Sequence, residues 1–186
     1  MNNKQDIEEA LIVSFKELAV ERPIEKITIK EITDRAGVIR PTFYNHFQDK
    51  FELMERIITK ELLLPTKPLI SAGMFKESLT LLFTNLAKDK GYYSRAVNLD
   101  GPMTFHQIAM NAVRQFFLEV LKELTSGKTP KYIWLSPEVM STFYAQAMVF
   151  AAEEWIKTGM TLEPGEMAEA YDYIMSRSFN DIINEM

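Results

Sequence analysis

Apolar residues recur along this chain mostly at three- and four-residue intervals, and prolines, glycines and short polar runs interrupt them. Ile7, Leu11, Phe15 and Leu18 form the first stripe, which predicts an amphipathic helix over residues 4–20 that Pro23 ends. Thr28 and Glu31 have the spacing of a reciprocal Thr-x-x-Glu capping box, and Ile29, Ile32 and Ala36 share a face behind it. Gly37 tolerates the left-handed conformation that closes a helix, and Val38 offers an apolar anchor for the next one. A third helix is predicted over residues 40–47, with Phe43 and Phe47 on one side at i, i+4. Two short helices joined by a glycine turn are a helix-turn-helix pattern.

Asp49 and Glu52 form a second box, which sets Lys50 at the start of a helix over residues 51–64. Leu53, Ile57 and Leu64 lie on one side of it until Pro65 and Pro68 intervene. Downstream, helices are predicted over 75–88, 92–97 and 103–124, before the polar break Ser-Gly-Lys-Thr-Pro-Lys. Pro137 opens a helix carrying Phe143, Ala147, Phe150 and Ala151, and Gly159 lies just past its end. Pro164 opens the last, with Met167, Ala170, Tyr171, Ile174 and Met175 along a stripe towards Ile182. Strand signals are missing, so the expected class is all-α: a three-helix head and a larger helical bundle.

At 186 residues and 47% apolar content the chain is long enough for both parts. It has no cysteine, which excludes disulfides, thiolate metal sites and cysteine nucleophiles and suits a reducing cytoplasm. The first ten residues lack the apolar core of a signal peptide, and no apolar run approaches the roughly 20 residues needed to span a bilayer. A soluble cytoplasmic protein with no membrane partner is expected. Net charge is −5, and residues 1–60 carry ten Lys and Arg against eleven Asp and Glu. Any affinity for nucleic acid must then come from local placement, with few phosphates neutralised and a shallow salt dependence.

Local placement is what the third helix offers. Arg40, Thr42, Tyr44, Asn45 and His46 point mainly away from the Phe43 and Phe47 face. Arg40 is either a solvated arginine or the contact to a base edge, most simply a guanine, and Thr42 either solvates the first turn or reaches a phosphate or a thymine methyl. Tyr44 suits a phosphate contact or a half-buried packing role with a wet hydroxyl. His46 is equally a contact residue or a packing one. Lys50 opposes the dipole of the helix it starts, so it is either a solvated lysine or a partner for a phosphate docked on that helix. Glu153, Glu154 and the two histidines are the only catalytic candidates, and they match no catalytic spacing. No enzyme, cofactor or metal is expected.

Thr28, Ile29, Ile32, Ala36, Gly37, Val38, Thr42, Tyr44, Phe47 and Lys50, in register across the turn, resemble the TetR family of bacterial transcriptional regulators. The resemblance is strong over about the first 60 residues. Thr33, Ile39 and Pro41 depart from it, standing where alanine, a capping serine and glycine are common. Ile39 cannot cap through its side chain, while Pro41 suits a first helical turn. The resemblance implies a DNA-binding head over residues 1–50 and an effector-binding and dimerisation body over 51–186, with 51–64 as connecting helix. It implies a DNA-facing set of Thr28, Arg40, Pro41, Thr42, Tyr44, Asn45, His46 and Lys50.

The same resemblance implies a homodimer through the last two long helices, where Phe143, Ala147, Phe150, Ala151, Met167, Ala170, Tyr171, Ile174 and Met175 otherwise pack within one chain. Symmetry would then present two heads to half-sites about 34–36 Å apart on a palindromic operator. Met103, Phe105, His106, Met110, Phe117, Tyr144 and Met148 are either core or the lining of an apolar effector cavity with His106 as its polar handle. The implied function is an effector-controlled regulator of transcription, most simply a repressor. A coregulator that binds protein rather than DNA is the alternative, favoured by the near-neutral head. The segments around Tyr92 and around residues 155–160 are also similar to regulators associated with dihydroxyacetone kinase operons.

Overall fold

Capping chemistry sets where the N-terminal helices begin and end. The computed structural model describes residues 3–185, and every regular element among them is helical. Helix α1 (Asn3–Glu21) buries Leu11, Phe15 and Leu18, together with Ile12 and Ala19, and a 3-10 turn (Ile24–Lys26) comes after Pro23. Helix α2 (Ile29–Ala36) opens on the expected box: the Thr28 hydroxyl accepts from Glu31 N at 3.3 Å, and Thr28 N donates to Glu31 Oε2 at 2.9 Å. Thr33 is buried within it, and its hydroxyl donates to the carbonyls of Ile29 and Lys30, so the larger residue needs no outside partner. Gly37, at φ +69°, turns the chain towards the next helix.

Helix α3 is Arg40–Tyr44, shorter than the expected 40–47. Ile39 gives no side-chain cap, and the chain leaves helical geometry after Asn45. Phe47 N still donates to Phe43 O at 2.9 Å, so the two phenylalanines keep a common face and both are buried.

The connecting helix differs most from the expectation. Helix α4 (Lys50–Ile57) gives way to a π turn (Ile58–Leu63), a 3-10 turn (Leu64–Thr66) and helix α5 (Lys67–Ser71). Pro65 has no N–H for the carbonyl of Glu61, four residues earlier, and its ring crowds that position. Leu64 N reaches back five residues to Thr59 O, and the freed Glu61 carbonyl accepts from the Asn85 amide at 3.1 Å. One extra residue in the turn swings later side chains by about 100° relative to a continuous helix. Leu62 and Leu63 are therefore buried, while Leu64, expected on the packed side, faces solvent.

The remaining helices are α6 (Phe75–Lys88), α7 (Lys90–Ala96), α8 (Phe105–Leu124), α9 (Pro137–Lys157), α10 (Pro164–Ser176) and α11 (Phe179–Glu185). The final stripe is thus two helices: Arg177 is extended, and Ser178 and Asp181 cap α11 reciprocally. Thr104 and Gln107 cap α8 in the same way. Helices α8 and α9 pack along each other, as do α6 and α10, while α1 rests on α2 and α7. Where α1 meets the body, Phe15 stands edge-on to Tyr92 at 6.0 Å, and Lys16 Nζ bonds Glu61 at 2.9 Å and Asp89. No helix among the described residues is long and apolar enough to cross a membrane.

The Thr28 amide and hydroxyl hold the Glu31 carboxyl down to about 2, with Arg22 contributing. Because the folded value lies below the ordinary 4.5, this carboxylate stabilises the fold above that pH and ceases to as pH falls towards about 2. Chemical denaturation from pH 7 to pH 2 should therefore show Glu31→Gln less stable than the parent at neutral pH, with the difference vanishing in acid. Thr28→Ala should cost about 1 kcal/mol at pH 7.

Candidate functional site

Helix α3 has one greasy side and one wet side, and its five residues depend on the first to display the second. Phe43 lies tilted against Phe47 at 5.6 Å and edge-on to Tyr44 at the same separation. Opposite them Ile39 is 70% and Tyr44 51% exposed, with Arg40, Pro41 and Asn45 also exposed and Thr42 and His46 half-buried. Arg40 Nη2 donates to the Tyr44 hydroxyl at 3.3 Å, and the guanidinium carbon lies 5.9 Å from the Tyr44 ring centroid. The two residues, one turn apart, form a preassembled cationic and aromatic pair on the outer face. Ile39, notable in the sequence only as a missing cap, is an apolar group at the mouth of that face.

Two of the expected DNA-facing residues are committed elsewhere. The Thr28 hydroxyl donates to Glu31 Oε2 at 2.7 Å, which completes its capping role. Lys50 is neither solvated nor free for a phosphate: its ammonium donates to the carbonyls of Ile24, Glu25 and Ile27 at 2.8, 2.8 and 3.0 Å. A helix-start cation is tolerated there because the end of the neighbouring 3-10 turn supplies three acceptors. Burial draws the Lys50 pKa below the usual lysine range, against the opposing pull of Glu25 and Asp49. Other cations nearby are also engaged, Arg22 with Glu31, Lys30 with Asp34 and Arg35 with Glu21. Sequence spacing held no sign of the Lys50 contacts, since its acceptors lie more than 20 residues away.

In the body, a cavity of about 420 Å³ opens between α6, α8, α9 and α10, with Leu63 and Thr66 of the connector at one end. Phe117, Tyr144 and Met148 line it as expected. Met103, Phe105, His106 and Met110 do not: Met103 lies just before α8 and the others in its first two turns, while the cavity meets that helix from Phe116 onwards, at least six residues or about 9 Å along its axis. Phe105 is core and faces the Tyr93 ring edge-on, Met110 packs against the core, and Met103 borders a hollow beside His46 and Phe51. His106 is exposed, its Nδ1 3.3 Å from Glu153, a carboxylate that Lys157 also approaches; it is no polar handle of the cavity. Glu154 pairs separately with Lys157, so the two glutamates form no joint acid-base site.

Of the residues expected at a dimer contact, Phe143, Phe150 and Ile174 are more than 60% exposed, Ala170 is exposed, and Ala147, Ala151 and Met167 are half-buried. Tyr171 and Met175 instead turn inwards and line the cavity, because α10 carries apolar residues on two sides and these two fall on its inner stripe. Burial pushes the Tyr171 hydroxyl up to about 12. The inner stripe also brings Asp172 to the cavity, a residue the apolar periodicity passed over.

A family model described as the C-terminal region of transcriptional regulators matches residues 74–177, and that of the bacterial regulatory proteins of the tetR family matches 12–57. No curated protein matches the chain by sequence. Among solved structures, the chain is similar to NalD of Pseudomonas aeruginosa, secondary repressor of the MexAB-OprM multidrug efflux pump: TM-score 0.62, 18% identity, 94% of this chain and 96% of that one. It is similar to the Thermus thermophilus repressor FadR in complex with lauroyl-CoA (TM-score 0.59, 20% identity, coverage 92% and 94%). It is also similar to the dihydroxyacetone kinase operon activator DhaS (TM-score 0.60, 18% identity, coverage 90% and 93%). At these identities the likenesses are ones of fold.

Lys50→Ala should leave three main-chain carbonyls without their donor and lower stability by about 1–3 kcal/mol, measured by urea denaturation of the protein without DNA.

Proposed function

The chain belongs to the TetR family of bacterial transcriptional regulators, and from that premise we propose that it binds a palindromic operator as a homodimer and releases it when a small molecule enters the body cavity. It is a regulator and not an enzyme. Residues 1–50 are the DNA-binding head and 51–186 the effector and dimerisation body in this reading, acting in the cytoplasm. The observation that carries it is the outer face of α3, where the Arg40 and Tyr44 pair stands exposed over buried Phe43 and Phe47.

Tyr44 meets a phosphate, Arg40 a guanine edge and Ile39 or Thr42 a thymine methyl, with Pro41, Asn45 and His46 beside them. Thr28 and Lys50 act indirectly: the first caps α2 and the second ties α4 to the turn before α2, so both hold the reading helix in position. The exposed Phe143, Phe150 and Ile174, with Ala147, Ala151, Met167 and Ala170, support a contact between two copies. Repression is the sense named for NalD and FadR, and we adopt it here. The dihydroxyacetone kinase subgroup is not adopted, since the likeness to DhaS is one of fold and the likeness to an efflux-pump repressor is as strong.

The near-neutral head favours a second reading, a coregulator that binds protein, and one experiment separates the two. Salt-dependent titration of the gene's own upstream DNA should give a specific complex with a shallow salt slope, about 0.9 per phosphate neutralised. Tyr44→Phe should weaken binding to all sequences alike, while Arg40→Ala should lose about 1–3 kcal/mol of discrimination at one base pair. Binding of the parent dimer no tighter to that DNA than to random duplex would transfer the assignment to the coregulator.

A further inference from the structure

The body cavity is not electrically neutral. Its wall is almost wholly apolar and carries five aromatic rings, from Phe75, Phe116, Phe117, Tyr144 and Tyr171. Among the described residues, no lysine, arginine or histidine lines it. On the elements around it Lys67 pairs with Glu123, Lys76 with Glu169, Lys122 with Glu138 and Arg177 with Glu185, while Arg114 of α8, without a carboxylate partner among the described residues, lies outside the lining. Thr66 and Ser78 line the cavity but donate their hydroxyls to the carbonyls of Leu63 and Phe75. Asp172 is the one charged lining residue, and it has no hydrogen-bond or ion-pair partner among the described residues. The Tyr171 phenol, held protonated by burial, adds no second negative charge.

We propose that this cavity selects lipophilic cations: an ammonium or other positive group set against Asp172 and the aromatic faces, with an apolar tail along the wall between α6 and α8. The proposal rests on reading the cavity as an effector site and adds the ligand's chemical class. A cation placed there neutralises an unpaired carboxylate and meets the negative faces of several rings. A carboxylate or phosphate ligand meets the opposite field and finds no basic side chain to offset its desolvation. The volume, about 420 Å³, is within the usual range for small-molecule sites. A likeness in fold to a protein solved with lauroyl-CoA therefore does not carry over to the ligand.

Calorimetric titration of the full chain with decyltrimethylammonium, decanoate and decanol, all below micelle-forming concentrations, tests this without any variant. The cation should bind at least about tenfold more tightly than the anion, with the alcohol between them. Asp172→Asn should remove most of the cation's advantage and leave the alcohol within about twofold; Asp172→Glu should restore it in part. Decanoate binding as well as the cation, no binding of the cation, or an Asp172→Asn protein of unchanged helicity that keeps the full preference would each overturn the proposal. Repeating the operator titration with each compound separates the two readings. Release of DNA by decanoate alone would sink the cation assignment and keep effector control. Tight cation binding without any change in DNA affinity would do the reverse.

Discussion

A helix of five residues has no stability of its own, since nucleation costs more than one turn of hydrogen bonds returns. Everything α3 offers outwards therefore depends on the burial of Phe43 and Phe47 on its inner side. Those rings complete the core formed by α1 and α2 and by the first turns of α4, which includes Phe15, Ile32 and Leu53. Burial of aromatic side chains is worth several kcal/mol each, far more than the cap that Ile39 fails to supply. Tertiary packing thus replaces the missing local signal, and the outer residues are free to be chosen for what they touch.

The N-terminal helices spend their charge mostly on themselves. Arg22, Lys30, Arg35, Arg56 and Lys60 all lie against carboxylates, and Lys50 spans the gap between α4 and the turn before α2. Exposed pairs of this kind stabilise little individually. What they do is remove positive field, so that the operator contact proposed above would rely on the shape and chemistry of α3 rather than on bulk attraction. Arg40, turned towards Tyr44, is unpaired with any carboxylate among the described residues, as are Lys4 and Lys26, but it alone of the three stands on α3.

Between the two halves, the segment from Lys50 to Ser71 changes helical type three times, and the first change traces to a single residue. Pro65 removes one main-chain donor, the π turn absorbs the loss, and Asn85 satisfies the orphaned carbonyl. Leu63 and Thr66 then meet the cavity, while Glu61 on the same stretch holds Lys16 of α1. Cavity wall, connector and first helix are thereby physically contiguous. The unpartnered hydroxyls of Tyr92 and Tyr93 are buried beside this junction, polar groups that the packing of α1 on α7 keeps from water.

Short-range rules were legible in the chain from the start. The Thr28 box, the Gly37 turn, the helical class, the openings at Pro137 and Pro164 and the pairing of Phe43 with Phe47 all arise from residues within four or five positions of one another. Phe117, Tyr144 and Met148, named beforehand as either core or cavity lining, do meet one cavity, because helices α8 and α9 run side by side. What only the folded chain decided depends on distant partners. Lys50 finds its carbonyls more than 20 residues away, the Glu61 carbonyl finds Asn85, and His106 finds Glu153 instead of the cavity. Tyr171 and Met175 turn inwards and Asp172 comes with them, because α10 lies along α6 and a helix apolar on two sides does not reveal which side its neighbour will cover. An amphipathic pattern specifies that a face is buried; which face, and against what charge, is settled only when the other helices arrive.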